Sequence, residues 1–226
     1  MGVDAPVSGG DLRRARMVRD LTARGIVNRR VLEALAEIPR EAFVEEALRA
    51  KAYGDAALPI GEGQTISQPF IVARMCELTE PDGTGRVLEI GSGSGYHAAV
   101  LSRLFEQVYS VERIAAFSKR ALSTVRDLRI ENVHFKIFDG SYGWSEFAPY
   151  RAIVVTAAAP EVPAPLLEQL EEGGRLVLPI GTNVGGAADA ADQTLVRVVK
   201  EGSGVRREEH GPCRFVPLLG KFGWTT

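Results

Sequence analysis

Residues 87–101 read VLEIGSGSGYHAAVL. Val87 to Ile90 form a short β-favouring run, Gly91, Gly93 and Gly95 break it, and Tyr96 onward, with Ala98, Ala99, Leu101 and Leu104, resumes at helical spacing. A strand that becomes a helix through glycines lets a ligand approach the backbone where a Cβ would otherwise stand. Tight strand-to-helix turns also need glycine for steric reasons alone, so the pattern gains weight only from its position. That position is informative. RVLEI is followed by QVYSV, NVHFKIF, AIVVTA and RLVLPI, short β-rich runs with helical stretches between most of them. Such alternation implies a parallel sheet wrapped by helices, with ligands beyond the carboxyl ends of the strands. The unbroken Ile153, Val154, Val155 fits a strand buried on both faces.

Further along, TLVRVVK and VRREEH are joined by EGSG and read as an antiparallel hairpin closing one sheet edge. Gly181 to Asp192, rich in Gly, Ala and Asp, reads as a mobile loop. Toward the amino terminus, residues 1–10 read as a flexible tail. Leu12, Ala15, Val18 and Leu21 place an apolar stripe on a first helix stopping at Gly25. Asn28 is a candidate cap for a second helix carrying Val31, Leu32, Leu35 and Ile38, which ends before Pro39; Phe43, Val44, Ala47 and Leu48 suggest a third. Lys51 to Thr65 reads as loop. In LPIGEGQTISQPFIVARM, residues 58–75, Pro69 suits a first helical turn, with Ser67 or Gln68 as its cap. The expected class is therefore α/β: a mostly parallel sheet with a carboxyl-terminal antiparallel hairpin and an amino-terminal helical addition. Its segments are a tail over 1–10, helices and a functional loop over 11–80, and the core over 81–226.

The 226 residues, 45% hydrophobic and 25% charged, suit an ordinary water-soluble domain. A net charge of -2 supplies no basic stripe for phosphates or anionic lipid, so neither nucleic acid nor membrane is an expected partner. Cys76 and Cys213 stand apart with no CxxC pair or histidine cluster; reduced thiols are expected, and no metal site. The opening MGVDAPVSGG has neither the basic start nor the apolar segment of a secretory signal, and a cytoplasmic location is expected.

Glu112 ends the strand QVYSV, at the distance from the glycine loop where a carboxylate can accept both ribose hydroxyls; its alternative is a solvated acid at the start of a helix near Arg113. Loop and acid together indicate an adenosine-containing ligand. A dinucleotide fingerprint wants G-x-G-x-x-G, whereas Gly95 arrives one residue early and Tyr96 follows. S-adenosylmethionine carries no phosphate for a helix terminus to hold, so the spacing favours it over NAD. Asp139, before Gly140, stands where an acid can accept from an adenine amino group, or is simply a turn former.

These motifs, with GIVNRRVLEALAEIPREAFV, AYGDAALPIGEGQTISQPFIVARM, VERI, DGSYGW, APYRAIVVTAAAPEVPAPLLEQLEEGGRLVLPIG and FVPLLG, resemble the protein-L-isoaspartate O-methyltransferases over most of the chain. GQTISQP and VTAAAPEVP are the most family-specific. The resemblance implies a Rossmann-like class I methyltransferase that moves a methyl group from S-adenosylmethionine to the α-carboxyl of L-isoaspartyl residues in damaged protein, leaving S-adenosylhomocysteine. The ester then loses methanol to a succinimide, which opens in part to normal aspartate. It also implies that Ser67 is the active-site serine and that Gln64, Thr65 and Ile66 close over cofactor and substrate. Glu89, Gly91, Ser92 and Gly93 are expected to bind the cofactor, Gly91 and Gly93 at its methionine moiety, with Glu112 at the ribose, Asp139 and Gly140 at the adenine, and Thr156 with Ala157 bordering the pocket. A carboxylate is already ionised at neutral pH, so this chemistry needs alignment and no general base. His97, His134 and His210 are read as structural or solvated. The chain departs from the family pattern at His97, Phe138 and Arg151. A monomer is expected. Two rival readings are a methyltransferase of the same fold acting on another acid and a binding module without turnover.

Overall fold

A computed structural model of the chain describes residues 9–181 and 193–225. Helices α1 (Gly9–Ala23) and α2 (Arg29–Glu37) lead into two short 3-10 turns, Arg40–Phe43 and Glu46–Lys51. A small antiparallel hairpin, β1 (Leu58–Gly61) and β2 (Gln64–Ile66), precedes α3 (Pro69–Leu78). Then come β3 (Arg86–Ile90), α4 (Tyr96–Leu101), β4 (Gln107–Glu112), α5 (Ala115–Asp127), β5 (Val133–Ile137), β6 (Tyr150–Val155), α6 (Ala164–Glu168) and β7 (Leu170–Gly181), followed by β8 (Gln193–Glu201) and β9 (Gly204–Pro212).

The seven strands β3 to β9 form one sheet in the order β5-β4-β3-β6-β7-β8-β9. The first five are parallel and the last two add on antiparallel, so the expected terminal hairpin is present. From β3 the chain winds first toward β4 and later toward β6. Neighbouring crossovers leaving in opposite directions open a crevice above the carboxyl ends of β3 and β6, the switch point of such sheets. Alternation along the strands divides the core. Val87, Ala152 and Val154 join a cluster with Leu21, Leu35, Met75 and Leu101, while Leu88, Ile90, Ile153 and Val155 join Leu166 and Leu218 on the other face. Strands covered on both faces are why their sequences carry so few polar residues.

Several local expectations need correction. The buried stripe of α1 is Met17 and Leu21, one helical turn apart; Leu12 and Ala15 face solvent. Gly9 and Gly10 already belong to α1, while residues 1–8 and the glycine- and alanine-rich stretch after Gly181 lie outside the described residues. Asn28 caps α2 as expected, its side chain accepting from the Val31 N–H. The third helix is replaced by the two 3-10 turns, and the loop over 51–65 contains most of the β1–β2 hairpin. Neither Ser67 nor Gln68 caps α3 with its side chain. That role falls to Asp55, which accepts from the Phe70 N–H at 3.2 Å and from Gln68 Nε2 at 2.6 Å. Pro69 at the first position has no N–H to offer, so the first free donor is Phe70, and a carboxylate from another loop reaches it.

Candidate functional site

A cleft of about 770 Å³ opens at the switch point. This lies within the range of small-ligand and cofactor sites. Its floor is the glycine loop. Gly91 stands at φ +97°, where only glycine is comfortable, and a Cβ there would run into the Thr156 hydroxyl. That hydroxyl bonds to the carbonyls of Ile90 at 3.0 Å and Gly91 at 2.7 Å, locking the end of β3 to the end of β6. Gly95, at φ +87°, lets α4 approach α5: a Cβ would lie 2.8 Å from that of Ala121.

Glu112, buried at the end of β4, faces this floor. One carboxylate oxygen accepts the Gly93 N–H at 3.0 Å and the other the Ile114 N–H at 2.9 Å. The acid thus fixes the glycine loop against the turn into α5, and it is buried where the alternative reading had a solvated acid. Each oxygen retains a further lone pair for a hydroxyl donor.

One wall is the segment Gln64 to Ser67, which reaches the cleft from the β1–β2 hairpin. The hairpin turns through Gly61, Glu62 and Gly63, all in the left-handed region. It is fastened by two arginines: Arg120, exposed on α5, donates to the Ile60 carbonyl at 2.8 Å, and buried Arg40 donates to the Ser67 carbonyl at 2.7 Å. The Ser67 hydroxyl has no hydrogen-bond partner among the described residues and is partly exposed to the cleft.

The opposite wall comes from the chain after β9, where Cys213, Phe215 and Leu218 line the cleft. This segment has little regular structure but is well held. Ala158 donates to Val216 and accepts from Leu218, each at 2.8 Å, and the Gln193 side chain makes a two-way pair with the Phe215 backbone.

Over residues 12–223 the sequence matches the family described as protein-L-isoaspartate(D-aspartate) O-methyltransferase. The chain belongs to that family. A protein-L-isoaspartate O-methyltransferase of Geobacter metallireducens is 51% identical over 218 residues, covering 96% of this chain and 98% of the relative. Protein-L-isoaspartate O-methyltransferase 1 of Geotalea uraniireducens is 53% identical over 216 residues, 95% of each. Among solved structures, one described as a protein-L-isoaspartate O-methyltransferase superposes with a TM-score of 0.81 at 34% identity, covering 93% of this chain and 67% of that one. A Plasmodium falciparum protein solved with S-adenosyl-L-homocysteine, at 23% identity and TM-score 0.74 over 91% of this chain and 98% of its own, shares the fold.

Within this methyltransferase framework, Gln64, Thr65, Ile66, Ser67, Gly91, Ser92, Gly93, Glu112, Gly140, Thr156 and Ala157 all border one cleft. Asp139 and Glu89 do not. The Asp139 carboxylate accepts from the Ser141 N–H at 2.9 Å, the Ser141 hydroxyl at 2.7 Å and the Lys221 N–H at 2.9 Å, so it ties the turn after β5 to the chain near Lys221. Gly140 is the part of that turn in the cleft, packed so that a Cβ would meet Ile90 at 2.5 Å.

Glu89 lies beneath the glycine loop, fully buried. It accepts from the Ser110 hydroxyl, which in turn contacts Ser92 at 2.6 Å; its other oxygen has no hydrogen-bond partner, with His97 Nδ1 4.0 Å away. Burial pushes the Glu89 carboxyl up to about 8, opposed by the Ser110 hydrogen bond and helped by the charge of Glu112. The same burial holds His97 neutral, its pKa lowered to about 4, with Nε2 3.3 Å from Cys76 Sγ. Phe138 stands outside the cleft, 44% exposed under the Lys136 ammonium, and Arg151 pairs with Asp82 at 2.5 Å on the surface. Of the three departures from the family pattern these two are therefore peripheral, whereas His97 is buried and borders the cleft.

The wall made by residues 213–219 has no site signal in the sequence. FVPLLG signalled family membership, but nothing in its composition marks it as a site.

Proposed function

We infer that the chain is a repair methyltransferase that transfers the methyl group of S-adenosylmethionine to the α-carboxyl of L-isoaspartyl residues in damaged proteins and peptides. One observation carries the reading of the site: the Gln64–Ser67 segment and the glycine loop with Glu112 open on the same cleft. A cofactor loop alone would suit any methyltransferase of this fold; the serine-bearing wall facing it gives the acceptor a place.

The residues present fit S-adenosylmethionine. Gly91 has no room for a side chain beside Thr156, Gly93 stands at a left-handed φ of +49° that disfavours one, and Glu112 offers acceptors suited to ribose hydroxyls. When bound, the cofactor supplies a methyl group made electrophilic by a positive sulfur. The glycine loop holds the methionine end, and Gly140 with Thr156 and Ala157 borders the rest. Asp139 acts at one remove by fixing Gly140, and Glu89 by bracing Ser92 through Ser110.

The acceptor carboxylate has a reference pKa of about 4 and arrives ionised, so the chain has no proton to remove. Its work is alignment. The Ser67 hydroxyl donates to one carboxylate oxygen and leaves the other in line with the methyl group, a positional effect. As methyl transfer neutralises the carboxylate, no oxyanion builds up, and a neutral donor such as serine suffices. We further propose a cytoplasmic monomer. No described helix is long and apolar enough to cross a membrane, and the outer strand β9 carries Arg206, Arg207, Glu208 and Glu209, a charged edge that discourages strand pairing between copies.

The test is transfer of labelled methyl to a short L-isoaspartyl peptide, with the normal aspartyl peptide and Ser67→Ala alongside. Base-labile label on the isoaspartyl peptide alone, reduced by Ser67→Ala in a folded protein, is the expected result. Equal label on both peptides would overturn the substrate assignment.

A further inference from the structure

Arg40 is one of the largest fully buried side chains in the molecule, at 0% exposure. It forms no ion pair with any described carboxylate. Instead Nε donates to the Ala52 carbonyl and Nη2 to the Ser67 carbonyl, both at 2.7 Å, and the guanidinium carbon lies 4.8 Å from the centre of the Tyr96 ring. Nη1 has no hydrogen-bond partner, and neither has the Tyr96 hydroxyl. A buried charge held by two neutral carbonyls and a ring is an expensive way to fill a core: an apolar side chain of similar volume generally stabilises as well or better. Two carbonyls at fixed separation do, however, suit the planar fork of arginine.

The placement explains what the cost secures. Arg40 starts a 3-10 turn behind the hairpin, Ala52 belongs to the following turn, Ser67 stands at the cleft, and Tyr96 opens the helix after the glycine loop. One rigid cation therefore ties the residue that meets the acceptor to the start of the helix behind the cofactor loop. Ser67 itself has no capping bond to hold it, and its side chain makes no other contact of this kind.

We propose that Arg40 is a positioning residue for methyl transfer, setting the height and orientation of Ser67 over the cleft through its backbone carbonyl. Resting on the role assigned above to Ser67, the inference assigns Arg40 no contact with substrate. Arg40 acts on productive alignment of the acceptor and leaves cofactor binding alone.

The test compares Arg40→Met, Arg40→Lys, Ser67→Ala and the double variant Arg40→Met/Ser67→Ala. Each is assayed for kcat and KM on an L-isoaspartyl peptide, S-adenosylmethionine affinity by calorimetry, and melting temperature. Misplacing an aligning group by about 1 Å costs up to about a hundredfold, so Arg40→Met is expected to lower kcat/KM about thirtyfold, with cofactor affinity within about twofold of the parent. Arg40→Lys keeps the charge but has one head for two carbonyls, and falls between. In the Ser67→Ala background Arg40→Met should cost less than about threefold, because a residue acting through Ser67 has nothing left to position. Undiminished loss in that background, or a folded Arg40→Met with parental kcat/KM, overturns the inference while the role of Ser67 stands. Parental turnover by Ser67→Ala overturns both. If Arg40→Met fails to fold, Arg40→Lys decides: parental turnover in a folded Arg40→Lys overturns the inference.

Discussion

The floor of the cleft and its serine-bearing wall are built on opposite plans. The floor is backbone geometry: left-handed glycines, a threonine hydroxyl stitched to two carbonyls, and a buried glutamate accepting two N–H groups, all at the ends of central strands. The wall is a short hairpin outside the main sheet, held by two long arginine side chains, exposed Arg120 on the Ile60 carbonyl and buried Arg40 on the Ser67 carbonyl. A site for an invariant cofactor can be rigid to the last atom. A site for a damaged residue in any of many proteins must admit varied flanking chain, and a wall pinned at chosen points allows that while keeping Ser67 in place.

If the floor is the rigid half, the largest loss should come there. Gly91→Ala forces a Cβ onto the Thr156 hydroxyl at a left-handed φ, and calorimetry should show S-adenosylmethionine affinity reduced at least about a hundredfold, with stability lowered by about 2–3 kcal/mol. Affinity within about threefold would erase the distinction between the halves. The wall should separate binding from turnover. Ser67→Ala is expected to lower kcat/KM for the isoaspartyl peptide by about thirtyfold with unchanged melting temperature and cofactor affinity, read by steady-state kinetics.

Glu89 sharpens the view of the floor as over-built. Its folded pKa of about 8 stands above its unfolded value of 4.5, so the folded state holds the extra proton. Stability is therefore fullest below pH 4.5, falls as pH rises toward 8, and levels off above that. Glu89→Gln should remove this fall. In urea titrations at pH 8 it is expected to be more stable than the parent by about 1–2 kcal/mol, with little difference near pH 5. A parent whose stability, relative to Glu89→Gln, rises over that range would contradict the shift. On the wall side, Asp55→Ala removes the cap on Phe70 and the tie to Gln68, and should cost about 1 kcal/mol by thermal unfolding while raising KM for peptide. The smallest effect belongs to Arg151→Ala, which breaks a surface pair with Asp82 and should move stability by under about 0.5 kcal/mol.

The two halves also differed in how well they could be read. The floor was legible because strands covered on both faces are written as apolar runs, and a loop that must pass beneath a ligand is written in glycines at fixed spacing. The wall was not. β1 has four residues including Pro59 and β2 has three, too few to show alternation, so the hairpin passes for a loop. Asp55 caps a helix from a distant loop, a contact that no local pattern encodes. Asp139 shows the limit within the legible half: an acid after β5 was foreseen, yet its rotamer, turned to Ser141 and Lys221 and away from the cleft, depends on a chain segment far off in sequence. Phe215 and Leu218 carry no periodicity at all. They reach the cleft by backbone bonds to Ala158 and the side-chain amide of Gln193.

That last arrangement has a consequence for biosynthesis. The glycine loop and Glu112 leave the ribosome early, but the wall that encloses them is made of residues 213–219, which emerge after every strand of the sheet. Contacts between such distant parts of a chain form late. A nascent chain that has already displayed its cofactor motif is thus still an open half-cup, and its enclosure comes late, when residues 213–219 fold back over the glycine loop.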